Sequence, residues 1–147
     1  MENNEKNIIM LMHDISKMFH LEMKKRTNED SKMVTYRPIL HMLIHHDGCN
    51  QLDVAKFTML KAPTISITLK NMEFDGLIRK ECDKDDKRNV KIFLTEKGKE
   101  QNEKMRLVCD NLKDDILAGI DKNKQEEVKI VLLKIISNLE ALKWKKC

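Results

Sequence analysis

The sequence predicts a mostly α-helical fold interrupted by one small β-hairpin. Three observations predict it. Apolar residues recur at helical spacing over most of the chain. The spacing changes once, between Leu77 and Leu94, where two short β-compatible runs flank a polar turn. Aromatic residues make up only 4% against ten Met, so the core must rest on Leu, Ile and Met, which pack well between helices.

The elements follow in order. Ile8, Leu11, Met12, Ile15, Phe19 and Met23 share one face of a long amphipathic helix ending near Arg26. Thr27 to Ser31 is polar and reads as a loop. A second helix is expected from about Thr35, with Pro38 in its first turn, where a missing N–H costs little. Ile39, Leu40, Leu43 and Ile44 form its buried face, and Asp47-Gly48 stops it. Asn50 is an N-cap with Asp53 in the first turn, opening a short helix through Leu52, Val54, Ala55 and Phe57. Met59 to Ala62 is a tight connection. Pro63 lies inside the start of the next helix, which runs through Ile65, Leu69 and Met72 to Asp75-Gly76.

Leu77 to Cys82 and Val90 to Leu94 then read as two strands around the seven polar residues Asp83 to Asn89. Thr95 is an N-cap for a helix through Met105, Val108, Leu112 and Ile116. Gly119 to Asn123 breaks it. A last helix carries Val128, Val131, Leu132, Ile135, Leu139 and Leu142 and ends at Trp144 to Lys146. Three central helices followed by a hairpin match a winged helix-turn-helix. The outer helices exceed what that module needs, and pairing with a second subunit would cover their apolar faces.

At 147 residues the chain suits a single domain. The net charge is +4, and Lys61 to Lys99 holds ten basic and seven acidic residues, a surplus of three. A local surplus suits a phosphate backbone, although solvated surface carries charge as well. Cys49, Cys82, Cys109 and Cys147 are far apart and form no C-x-x-C pair. With no secretory signal and no apolar run of membrane length, a cytoplasmic protein with reduced thiols is expected. No G-x-S-x-G, Walker loop, Rossmann glycine pattern or H-E-x-x-H occurs, and only four Gly are present, so an enzyme is not expected.

Between Asn50 and Gly98 the sequence resembles the MarR family of bacterial regulators. The residues that carry the likeness are Pro63-Thr64-Ile65-Ser66, Met72-Glu73, Gly76-Leu77-Ile78, Asp86-Lys87-Arg88 and, after five residues, Leu94-Thr95-Glu96-Lys97-Gly98. The D-x-R-x5-L-T-x-x-G spacing is the family's wing pattern. The resemblance implies one domain over residues 1–147, with a DNA-binding module at 35–98 and dimerisation helices at 1–34 and 99–147. It also implies a homodimer whose recognition helices enter the major groove and whose wings reach toward the minor groove. No cofactor and no membrane are implied. Repression relieved by a small molecule, an oxidant or a metal is the common family behaviour.

Residue types give that interface its chemistry. Thr64 and Ser66 offer hydroxyls to bases or phosphates, and Lys70 lies one turn beyond Ser66. Ala62, Thr64 and Ile67 suit thymine methyls. Ile65, Leu69 and Met72 keep the buried spacing instead. The turn departs from the family, with Met59 at a frequent Gly, Lys61 at a frequent capping Ser and Ile67 at a frequent Arg. Pro63 shares this helix start, and Lys61 can reach phosphate. In the wing, Arg88 suits a narrow minor groove, Asp86 would orient it or brace the turn, and Lys84 and Lys87 lie near phosphates.

Effector residues expected at the boundary between dimer helices and DNA module are His13, Tyr36, His41 and His45. His41 and His45, at i and i+4, form half of a metal site, with Glu22, His20 or Cys49 as candidate third ligands. Two alternatives stay open: a dimeric winged-helix interaction protein without DNA binding, and a metal-responsive or metal-buffering protein using the histidines.

Overall fold

The chain is described by a computed structural model that covers residues 5–27, 31–86 and 89–144. Its elements are α1 (Ile8–Arg26), α2 (Ser31–His45), β1 (Cys49–Asn50), α3 (Gln51–Thr58), α4 (Ala62–Phe74), β2 (Ile78–Cys82), β3 (Val90–Leu94), α5 (Glu96–Ile116) and α6 (Lys122–Trp144). This is the expected mostly helical order with a small antiparallel sheet.

Local chemistry sets most boundaries. The Asn7 side chain accepts from Met10 N at 3.0 Å and opens α1, while Lys24, Lys25 and Arg26 occupy its last turn, where cations meet the exposed carbonyls. Thr95 caps α5 by accepting from Gly98 N at 3.1 Å. Asp121 does the same for α6 by accepting from Lys124 N at 3.0 Å. Asn123 therefore lies inside α6 rather than in the preceding break.

Two expectations are corrected. The second helix begins at Ser31, about one turn before Thr35, so Pro38 lies inside it and not in its first turn. Pro38 forfeits the N–H that would meet the Val34 carbonyl. Val34 and Tyr36, in the turn before it, are nevertheless buried, and that burial holds the extra turn in place. The sheet also has three strands in the order β1-β3-β2, with Cys49 opposite Ile92 and Asn50 opposite Lys91. A two-residue strand has no period from which it could be read.

The chain divides into two compact units, Met1–Asp110 and Asn111–Cys147, with the division inside α5. In the first unit Tyr36, Ile39, Leu40, Leu43, Val54, Ile65, Leu69, Met72, Leu77 and Ile92 form one continuous core. No helix among the described residues is long and apolar enough to cross a membrane.

Candidate nucleic-acid interface

The helix-turn-helix is α3, a three-residue turn and α4. The start of α3 is fixed by a complete capping box. Asn50 Oδ1 accepts from Asp53 N at 2.9 Å, and Asp53 Oδ2 accepts from Asn50 N at 3.2 Å. In the turn, Met59 takes the left-handed region at φ 57°, a conformation that costs a residue with a Cβ roughly 1–2 kcal/mol. Lys61 is the N-cap of α4 without a side-chain cap bond, and Pro63 sits in the first turn. Its carbonyl still accepts the first helical bond, from Ile65 N at 3.0 Å. The departures noted at Met59 and Lys61 thus leave the helix start in place, because Pro63 pre-sets its backbone.

Burial divides α4 into two faces. Ile65, Thr68, Leu69 and Met72 pack into the core. Lys61, Ala62, Pro63, Thr64, Ser66, Ile67 and Lys70 are all exposed, so the structure gathers the predicted contact residues of this helix on its solvent side. Asn71 is exposed there too, one turn beyond Ile67. It was not among the predicted residues, although its i+4 spacing from Ile67 is legible. An amide there has the donor–acceptor pair that matches adenine in a major groove.

The wing is β2, its turn and β3, registered from Ile78 opposite Leu94 to Cys82 opposite Val90. Asp83 N donates to the Asn89 carbonyl at 3.0 Å, and Asn89 N donates to the Asp86 carbonyl at 2.9 Å. Asp86 thus braces the turn through its backbone. Lys84 and Asp86 are exposed. Lys87 and Arg88 lie outside the described residues. The guanidinium of Arg79 stacks on the Phe93 ring at 4.5 Å and pairs with Glu81.

The sheet is tied to the helices by residues whose role was not legible. Asp47 Oδ1 accepts from Leu94 N at 2.8 Å. Thr95 donates its hydroxyl to the Gly76 carbonyl at 2.6 Å and its N–H to the Leu77 carbonyl at 3.1 Å. A Cβ on Gly98 would fall 2.1 Å from that same Leu77 carbonyl, so only glycine lets α5 lie this close to the chain entering β2.

This arrangement has known counterparts. A family model described as "MarR family" matches residues 38–90, from inside α2 to the start of β3. Transcriptional regulator PA3341 superposes with a TM-score of 0.78 at 26% identity, covering 92% of this chain and 99% of its own. MepR of S. aureus in complex with DNA superposes with a TM-score of 0.76 at 26% identity, covering 93% and 99%. MepR in its DNA-binding conformation gives 0.73 at 25% identity, covering 91% and 99%. Residues 38–90 thus match the MarR family, and the solved structures share the fold around them.

The predicted effector residues do not share one environment. His13 is exposed on α1. Tyr36 is 2% exposed, and its hydroxyl donates to Asp75 Oδ2 at 3.0 Å, which ties α2 to the end of α4. The exposed His41 and His45 rings meet edge-on with centroids 5.1 Å apart. Among the described residues no group of three His, Cys, Asp or Glu side chains could hold a metal ion. A groove of about 450 Å³ lies between α2, β1 and α3, lined by Met42, His46, Cys49, Asp53, Lys56 and Phe57. Burial, with Asp53 and Asp47 nearby, pushes the Cys49 thiol up, so its thiolate is disfavoured.

Proposed function

We propose that this chain is a homodimeric MarR-family transcriptional regulator that binds specific sites on double-stranded DNA and acts as a repressor released by an effector. The observation that carries the reading is the solvent face of α4, where Lys61, Thr64, Ser66, Ile67 and Lys70 stand clear of the core on a helix that follows a capped α3. Neither Lys61 nor Lys70 forms an ion pair among the described residues, which leaves both ammonium groups for phosphate. In the reading, Ala62, Pro63 and Thr64 bring the helix start to the bases, Lys84, Asp86, Lys87 and Arg88 form the wing contact, and the structure of S. aureus MepR with DNA is the precedent.

Dimerisation has independent support. Ile8, Ile9, Ile15, Met18 and Leu21 are exposed on α1. Val128, Ile130, Val131, Leu132, Leu133, Ile136, Leu139 and Leu142 on α6 are 39–65% exposed. Apolar surface on this scale marks a protein contact, and two-fold pairing of identical copies is its commonest form. His13, Tyr36, His41 and His45 remain the proposed effector surroundings, by family resemblance.

Titration of the full chain against its own upstream DNA at stepped salt tests the reading. The logarithm of the affinity falls linearly with the logarithm of salt, and Lys70→Ala lowers that slope by about one. No complex at low salt, with either that duplex or a random one, would overturn DNA binding and favour the interaction protein.

A further inference from the structure

The outward line of α4 is unusual for a surface helix. Opposite the buried Ile65, Leu69 and Met72 run Pro63, Ile67, Lys70 and Phe74, at i, i+4, i+7 and i+11. Ile67 is 63% exposed at the middle of this line. From Ala62 to Phe74 the sequence has no Arg, Gln or His. The helix therefore lacks the guanidinium that reads guanine with paired hydrogen bonds, and an apolar side chain occupies the most outward place.

DNA offers one apolar group in its major groove, the 5-methyl group of thymine. A branched aliphatic side chain gains by covering it, because both surfaces leave water. Lys61 and Lys70 lie before and after Ile67 and would hold the phosphates while it meets the base edge. We infer that Ile67 packs against a thymine 5-methyl group, so that the operator is specified by a methyl where a guanidinium-bearing helix would specify guanine. This rests on the DNA-binding reading above.

The probe is the duplex that the full chain selects from a random-sequence pool, remade with one deoxyuridine for thymidine at a time. Uracil pairs as thymine does and lacks only the methyl. At the position facing Ile67 the replacement weakens binding about fourfold, the equivalent of one buried methyl-sized group. Ile67→Val keeps this difference. Ile67→Ala, a surface change, binds the two duplexes alike. If no uracil replacement alters wild-type binding while the selected duplex still outcompetes a scrambled one, the thymine reading falls and DNA binding stands. A difference that persists in Ile67→Ala removes the assignment to Ile67. If the pool yields no enriched duplex, the DNA-binding reading fails first and this inference with it.

Discussion

The units Met1–Asp110 and Asn111–Cys147 use similar apolar side chains in opposite ways. In the first, Leu40, Leu43, Ile65 and Leu69 have no exposed surface, and helices α2, α3 and α4 close over the sheet. In the second, most Leu, Ile and Val side chains of α6 stand in solvent on several sides of one helix. A helix apolar on several sides is stable when something covers it. Within the first unit α1 also carries exposed apolar side chains, as do single positions on α3 and α4 such as Leu52, Ile67 and Phe74. The difference teaches that the winged module is complete within one copy, whereas α6 holds its packing partners in reserve.

The largest effect is expected where the first unit has no slack. Gly98→Ala would push a methyl into the Leu77 carbonyl, and the backbone must move. We expect a loss of roughly 3 kcal/mol or more, at the top of overpacking costs, read by urea denaturation of the full chain. Gly119 provides the contrast in the second unit. Its φ is +78° and an added Cβ meets nothing within 4 Å. Gly119→Ala should therefore cost only the backbone term, about 1 kcal/mol. Equal losses from the two would mean that Leu77 and α5 are not in close contact.

A second pair separates burial within the copy from burial between copies. Leu69→Ala opens a cavity in the core and should cost about 3 kcal/mol at every protein concentration. Leu133 is 56% exposed. Leu133→Ala should leave the fold of a single copy nearly unchanged and weaken the dimer, so its effect on the unfolding midpoint appears on dilution. Sedimentation equilibrium would check it; an unchanged dimer constant would exclude Leu133 from the interface.

How much was legible follows from the range of each interaction. The capping box Asn50–Asp53, the position of Pro63 and the Thr95 cap are interactions over two or three residues, and the sequence shows them directly. The solvent face of α4 was legible because Ile65, Leu69 and Met72 claim the buried spacing and leave the rest outside. The first turn of α2 was not, since burial of Val34 and Tyr36 depends on elements far along the chain. Tyr36 looked available for a ligand, yet its hydroxyl is held by Asp75, thirty-nine positions away. Asp47 on Leu94 N and Gly98 under Leu77 are likewise long-range, and no local pattern announces them. The wing residues Lys87 and Arg88, which carry much of the family motif, lie outside the described residues.

The smallest expected effects set two helix caps against each other. Asn50 accepts one backbone N–H and its own backbone N–H is bonded by Asp53, at the junction of β1 and α3. Asn50→Ala leaves the Asp53 N–H without its partner and reduces the reciprocal cap to one bond, and should cost about 1 kcal/mol of unfolding free energy. It should also loosen the α3–α4 turn and weaken DNA binding. Asp121 accepts a single bond from Lys124 N at the start of α6. Asp121→Ala frees one donor at an exposed helix end, which water can meet, and the expected cost is about 0.5 kcal/mol. Amide hydrogen exchange distinguishes the two. Asn50→Ala should raise exchange through α3 and into the turn, because the cap joins two packed elements. Asp121→Ala should raise it only in the first turn of α6. Exchange spreading along all of α6 would mean that this helix depends on its cap, and not on burial by a second copy, to stay folded.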